Sequence, residues 1–195
     1  SYRNYRLMLG ASIHRYYDSS QPFAITLLDA REDSSHGSSA KGGRGKGLTA
    51  KIIKNSIPNN TFITTEYKKN NHFQWQNVSK KTQTILVDEV SSKDVKALYS
   101  IITEPITVEQ KNKNAYEISG AGKPRLIITS NYVVGSDVST QRRLLRFSFT
   151  DFFDAKHTPM DLLGNPIIQQ YTEEQWSRFD AFMNECGLEW IKYIS

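Results

Sequence analysis

Apolar residues recur along this chain with two spacings, one typical of amphipathic helices and one typical of short buried strands. The helical spacing predicts helices over residues 2–17, 48–55, 93–103 and 173–194. Short runs rich in apolar or β-branched residues predict strands over residues 23–28, 61–65, 84–87, 126–129 and 144–149. Two further short runs, residues 106–109 and 115–118, flank a polar stretch and predict a β-hairpin.

The order of these elements predicts an α/β fold. A strand, a glycine-rich turn and a helix are followed by more buried strands, which is typical of a central, mostly parallel sheet with helices on both faces. A length of 195 residues fits one domain. We expect residues 1–22 to form a helical lead-in, residues 23–153 to form the core, and residues 154–195 to form a loop and helix that pack on it.

Composition narrows the class of protein. A hydrophobic content of 38% and a charged content of 23% are typical of a globular chain. No apolar run reaches the roughly 18 residues of a membrane span, and a single cysteine, Cys186, excludes a disulfide framework, so we expect a cytoplasmic protein. The chain starts at Ser1 without methionine, so we expect a domain of a longer protein. The net charge of +5 modestly favours an anionic partner.

The glycine-rich turn before the second helix is a candidate phosphate-binding loop. Glycines let backbone N–H groups approach a triphosphate, and the helix N-terminus favours its negative charge. Lys46 would bridge the outer phosphates from the loop, without contributing to the core. The segment departs from the P-loop pattern at Ala40, which replaces the first glycine, and at Gly47, which replaces the Mg²⁺-binding hydroxyl. The residues we expect to hold the nucleotide are Gly42, Gly43, Arg44, Gly45, Lys46, Gly47 and Leu48.

This segment alone is equally compatible with a flexible surface loop. A similar string at residues 120–123 precedes Pro124 and a strand rather than a helix, so we reject it as a phosphate site.

Two carboxylates, Asp88 and Glu89, follow directly on a buried strand. Ligands of open α/β sheets gather at such strand ends. ATP hydrolysis needs one carboxylate to hold Mg²⁺ and one to orient and deprotonate the attacking water. We predict that Asp88 holds Mg²⁺ and that Glu89 orients and deprotonates the water. The alternative is an ordinary acidic pair at a strand end.

Polar residues after the next strand extend this pattern. Asn131, at the strand tip, could sense the γ-phosphate or position water. Arg142 and Arg143 follow, with Arg146 three residues on, and an arginine presented across a subunit interface stabilises charge on the transferring phosphoryl group. A basic strand edge is the competing interpretation for at least two of the three arginines.

The ordered set of motifs resembles the superfamily-three helicases of viruses, phages and plasmids, a branch of the AAA+ ATPases. Residues 98–113 are similar to that family's motif between the acidic strand and the asparagine strand. The chain resembles more closely the helicase half of primase-helicase proteins from phages and mobile elements of gut bacteria, in which glycine is tolerated after the P-loop lysine. That resemblance extends from about residue 14 to residue 182 and rests on residues 42–48, 127–132, 154–161 and 174–180.

The resemblance implies a three-layer, AAA+-like P-loop NTPase that uses ATP and Mg²⁺ to translocate on single-stranded DNA. It also implies a homo-oligomeric ring, a hexamer in the family, and a primase domain fused in the parent protein. The predicted hairpin would then grip DNA, with Lys111 and Lys113 on its phosphates. A soluble, lysine-rich turn is the alternative interpretation of that hairpin.

Two alternative functions remain open from the sequence. A non-hydrolysing nucleic-acid-binding or assembly module would tolerate Ala40 and Gly47, and an ATPase could instead load or remodel proteins. A metal pair at His157 and Asp161 has too few ligands for zinc, so we interpret both residues as part of a loop. We expect the tryptophans, Trp75, Trp176 and Trp190, to be core residues rather than a base-stacking platform.

Overall fold

The computed structural model describes residues 1–29, 44–65, 67–68, 70–131, 137–150, 152–154, 156–164 and 168–195. Its strands are β1 (Ala24–Asp29), β2 (Thr61–Thr64), β3 (Thr84–Val87), β4 (Ile106–Val108), β5 (Tyr116–Ile118), β6 (Arg125–Ser130) and β7 (Leu144–Phe149). Five of them form a sheet in the order β2-β3-β6-β1-β7, in which every neighbouring pair is parallel. The predicted α/β class is confirmed. β6 therefore separates β1 from β3.

The helices are α1 (Tyr2–Ile13), α2 (Lys46–Ser56), α3 (Ser92–Val95), α4 (Tyr99–Thr103), α5 (Val138–Arg143), α6 (Pro159–Leu163) and α7 (Glu173–Ile194). Single 3₁₀ turns occupy Pro58–Asn60, Lys96–Leu98 and Gly120–Gly122. Among the helices in the described ranges, none is both long and apolar enough to cross a membrane.

Alternating side chains give the sheet two buried faces. Ile25 and Leu27 of β1 lie on one face, in a core cluster with residues of α1, α2 and α7. Ala24 and Leu28 lie on the other face, in a cluster with α4 and the β4–β5 hairpin. Strands that are buried on both faces form continuous apolar runs, which is why these segments are recognisable in the sequence.

The first and last long helices, α1 and α7, pack closely against each other. A Cβ built on Gly10 would lie 2.1 Å from the backbone oxygen of Cys186, so only glycine allows this approach. Arg6 reinforces the contact through ion pairs with Glu185 and Glu189 of α7. A capping box at Thr172 begins α7.

Most predicted elements are present, and their ends differ where tertiary contacts intervene. The helix predicted over residues 2–17 ends at Ile13. Arg125 explains the early end, because its guanidinium donates to the carbonyl oxygens of Tyr16 and Phe23 and holds that segment extended. The helix predicted over residues 93–103 is divided into α3, a 3₁₀ turn and α4. The predicted hairpin is confirmed, with Ile106 opposite Ile118.

Candidate active site

Three strands of the sheet end side by side at the edge where α2 begins. Because side chains alternate along a strand, Asp29 lies on the same face as Leu27, which is the face that α2 covers. The same alternation, counted from Leu86 and Ile127, places Asp88 and Asn131 on that face. The strand order therefore brings two carboxylates and an amide to the N-terminus of α2.

Lys46 lies at the centre of this group. The structure corrects its predicted place in a loop, because it is the first residue of α2 and its side chain is only 12% exposed. Its Nζ donates to Asp29 Oδ2 at 2.7 Å, to the carbonyl oxygen of Ser130 at 3.1 Å, and to Asn131 Oδ1. A lysine ammonium has three N–H donors, so all of them are used here.

Backbone geometry on both sides of Lys46 bears on the phosphate-binding prediction. Gly45, the N-cap of α2, has a φ of 106°, a left-handed conformation that favours glycine. Gly47 is exposed, and a Cβ built there meets no heavy atom of the described residues within 4 Å. The side chain of Arg44 is buried. Gly42 and Gly43 lie outside the described residues, as does Ala40.

Hydrogen bonds to β6 hold the acidic pair at the end of β3. Thr129 Oγ1 donates to Asp88 Oδ1 and accepts the backbone N–H of Glu89 at 2.9 Å. Val90 N–H donates to the carbonyl oxygen of Thr129 at 2.9 Å. Glu89 has a φ of 55°, a left-handed conformation that costs of order 1 kcal/mol or more in a residue other than glycine. At this strained turn, Asp88 is partly buried against β6, whereas Glu89 is exposed to solvent.

An aromatic cleft of about 810 Å³ opens beside the N-terminus of α2. Its apolar walls come from α1, β7 and the segment after β7, and its ring-bearing residues are Tyr2, Tyr5, Phe147, Phe149, Phe152 and Phe153. Tyr5 is fixed by a hydrogen bond between its hydroxyl and Thr49 Oγ1 at 3.2 Å, and burial raises the pKa of its phenol. A cleft of this size and lining can hold a flat heterocycle.

Arg142 and Arg143 lie in α5, away from the lysine. Asp137 caps this helix, and its hydrogen bonds from Thr140 lower its pKa to about 2. Arg143 has its guanidinium 5.5 Å from the ring centroid of Tyr99 and donates to the carbonyl oxygen of Ser139. The side chain of Arg142 is exposed. The two predicted arginines therefore differ, since Arg143 is held within its own subunit and Arg142 faces outward.

The hairpin carries the two lysines predicted to bind phosphates. Ile106, Val108 and Ile118 anchor it in the core. Lys111 and Lys113 are exposed in the connection between β4 and β5. The anchored base and exposed tip give a projecting element with a basic end.

The sequence interpretation missed Asp29, because the predicted strand ended at residue 28. In the structure Asp29 ends β1, and its side chain is 10% exposed. Its position directly after an apolar run, like that of Asp88 after β3, is the signal that could have identified it.

The remaining residues singled out in the sequence occupy local structural positions. Asp161 completes a capping box at the start of α6, and His157 Nδ1 lies 2.9 Å from the carbonyl oxygen of Phe152. Trp75 and Trp190 are buried, as predicted. Trp176 is only partly buried, because it lies in a satellite cluster of rings with Tyr171 and Phe179.

The parallel sheet has a lysine at the start of the helix after β1 and carboxylates at the carboxyl ends of β1 and β3. These features define a three-layer α/β domain of the P-loop type. The chain belongs to the family of unknown function DUF5906, whose model matches residues 38–143, more than half of the 195 residues. No curated protein matches the sequence.

The solved structure of an NrS-1 region shares the fold. The A-form apo structure of the C-terminal region of NrS-1 has a TM-score of 0.58 at 18% identity, over 97% of this chain and 41% of that one. The chain thus spans less than half of the NrS-1 region. JCV helicase with a bound phenoxyphenyl acetamide has a TM-score of 0.46 at 14% identity, over 94% of this chain and 61% of that one. A second JCV helicase structure has a TM-score of 0.43 at 13% identity, over 95% of this chain and 61% of that one.

Proposed function

We propose that this chain binds and hydrolyses ATP at the carboxyl edge of its sheet, as the motor domain of a DNA helicase that moves along single-stranded DNA. The observation that carries the proposal is the convergence of Lys46, Asn131 and Asp88 on one face beside the N-terminus of α2. Phosphoryl transfer needs a cation for the phosphates, a polar group near the γ-phosphate and carboxylates for metal and water. Each kind of group is present.

The triphosphate would lie over the start of α2. The backbone N–H groups of a helix's first turn and the helix dipole favour an anion there. Lys46 would exchange at least one of its three acceptors for a phosphate oxygen. The adjoining aromatic cleft would take the base, because it borders Gly45 and Leu48 at the same helix end.

The acidic pair fits a magnesium ion and a water molecule. Carboxylate oxygens are the ligands Mg²⁺ prefers, and Asp88 offers Oδ2 while Thr129 occupies Oδ1. Bound there, Mg²⁺ would neutralise charge on the phosphates. Glu89, exposed on its strained turn, would orient the attacking water and accept its proton.

DNA binding and assembly extend the proposal. The exposed lysines of the hairpin, Lys111 and Lys113, suit a grip on phosphates that does not depend on sequence. Arg142 is exposed and would complete the ATP site of a neighbouring subunit in a homo-oligomeric ring, a hexamer by family resemblance. A fused primase domain in a longer parent is part of the same proposal.

A non-hydrolysing module is the competing function, and two observations favour it. All three donors of Lys46 already have partners, and Gly47 has no hydroxyl for Mg²⁺. ATP turnover, measured with and without single-stranded DNA under conditions in which the subunits assemble, separates the two functions. We expect turnover that rises with DNA. Tight ATP binding without turnover in either condition would support the non-hydrolysing module.

Replacing Glu89 by glutamine should leave ATP binding intact and slow hydrolysis by about 10²-fold or more, because an amide can occupy the same place but cannot accept a proton. Replacing Asp88 by alanine should instead remove the Mg²⁺-dependent part of ATP binding. Calorimetric ATP titrations and single-turnover hydrolysis measure the two effects. The matched control is Glu173→Gln, an exposed substitution at the start of α7. Full turnover by Glu89→Gln would assign the base to another residue.

Replacing Lys111 and Lys113 together by alanine should weaken single-stranded DNA binding and flatten its salt dependence. Each lost phosphate contact should lower the log–log salt slope by roughly 0.7. Fluorescence anisotropy of a labelled oligonucleotide, measured over a series of salt concentrations, gives the slope. Lys51→Ala with Lys54→Ala is the matched control, because these exposed lysines lie on α2, which covers the opposite face of the sheet. Equal slopes in both double variants would make the hairpin a soluble turn.

A further inference from the structure

Gly47 leaves the proposed metal site short of one oxygen ligand. The second residue of α2 is where a P-loop places the serine or threonine hydroxyl that holds Mg²⁺. Glycine provides no side-chain oxygen, although the position has room for one, since a Cβ there meets no described heavy atom within 4 Å. A chain that uses Mg²⁺ at this site needs an oxygen from another residue.

Asp29 has an oxygen without a partner. Its Oδ2 accepts from Lys46, whereas its Oδ1 is buried and, among the described residues, has no hydrogen-bond partner. The side chain is nine-tenths buried. A buried carboxylate oxygen without a donor is unfavourable, and an ion that binds there during function is one of the few explanations for it.

The position of Asp29 fits the metal site assigned to Asp88. Both residues follow apolar strand residues, Leu27 and Leu86, that lie on the α2 face, and the two strands are separated only by β6. Asn131 follows β6, the strand between them, and Lys46 donates hydrogen bonds to both Asp29 and Asn131. Mg²⁺ keeps several waters and binds proteins through one or two carboxylates, so the two residues need not touch each other.

Binding of the triphosphate gives Asp29 a reason to take a cation. A phosphate oxygen that takes over the Lys46 ammonium would leave the Asp29 carboxylate buried without its partner, a strongly unfavourable state. A magnesium ion that arrives with the nucleotide can replace the lost positive charge. Resting on the proposed ATP site, we infer that Asp29 helps hold the nucleotide's Mg²⁺, directly or through water, in place of the hydroxyl that Gly47 lacks.

The test is the Mg²⁺ dependence of ATP binding by the whole chain, measured by calorimetry in excess MgCl₂ and in EDTA. In Asp29→Asn, the factor by which Mg²⁺ tightens ATP binding should fall by about tenfold or more. ATP binding in EDTA should not weaken, because the substitution removes a negative charge near the triphosphate. Asparagine keeps an oxygen for Lys46, and thermal unfolding checks that the fold is kept. Asp180→Asn, an exposed change on α7, is the matched control.

A second variant tests directly whether Asp29 takes the place of the hydroxyl that Gly47 lacks. Gly47→Ser in the Asp29→Asn background should restore a large part of the Mg²⁺ effect, because the open position at Gly47 admits the side chain. Mn²⁺ paramagnetic resonance in the presence of ATP provides an independent count of bound metal. An unchanged Mg²⁺ factor in Asp29→Asn would overturn the inference and leave Asp29 as a partner of Lys46 alone. Failure of the parent chain to bind ATP would instead overturn the proposed function.

Discussion

Replacing Lys46 by alanine should reduce ATP turnover by at least about 10²-fold, the usual effect of losing one donor that stabilises charge in a transition state. ATP affinity should fall as well, because the ammonium would contact the triphosphate in the ground state. Steady-state hydrolysis and ATP titration measure the two effects. Comparable turnover by the variant and the parent would remove the P-loop assignment altogether.

The effect of this substitution on stability needs its own control, because the Lys46 side chain is buried and paired. A lysine in a loop that contributes nothing to the core, as the sequence suggested, would be removed without cost to the fold. Lys46 instead forms a buried ion pair with Asp29, so alanine would leave a buried carboxylate unpaired and destabilise the chain. Lys46→Ala combined with Asp29→Asn removes both charges and should unfold at a higher temperature than Lys46→Ala alone. Turnover should remain lost in both variants, which separates the chemical effect from the stability effect.

Local patterns in the sequence were sufficient for the elements of the sheet. β3 and β7 match their predicted ranges. β3 is a compact, fully buried run, and β7 is a run rich in leucine and phenylalanine, with polar residues on both sides of each strand. The short helices α5 and α6 were missed, since five or six residues are too few to show a helical period. Their capping residues carried the available signal: Asp137 caps α5, and Thr158 forms a capping box with Asp161.

Contacts between distant segments could not be predicted in this way. Asp29 and Lys46 are close because β1 ends where α2 begins, and Asn131 joins them because β6 inserts beside β1. Strand order is decided by packing of the whole sheet, so it cannot be predicted from the sequence of any short segment. The phosphate-binding prediction found Lys46 from its glycines but missed Asp29, whose role depends on that order.

The direction of β7 places Arg142 at the opposite edge of the sheet from Lys46. Arg142 lies two residues before the start of β7, which runs parallel to β1, so it lies beyond the amino-terminal edge of the sheet. Lys46 and Asn131 lie at the carboxyl edge. β7 alone spans roughly 16 Å at about 3.3 Å per residue. That separation is greater than an arginine side chain can reach, so Arg142 cannot contact phosphates bound at its own Lys46.

If Arg142 takes part in hydrolysis, it must therefore act at a neighbour's ATP, and mixed oligomers test this role. Arg142→Ala and Lys46→Ala subunits should each be nearly inactive, since such an arginine contributes roughly 10³-fold or more to the rate. Mixing the two should restore part of the ATP turnover, because some interfaces then pair an intact Lys46 with an intact Arg142. Arg143→Ala mixed with Lys46→Ala is the matched comparison, since Arg143 stacks on Tyr99 of its own subunit and should not complement in this way. Absence of recovery in an oligomer that demonstrably contains both kinds of subunit would mean that Arg142 does not act across the interface.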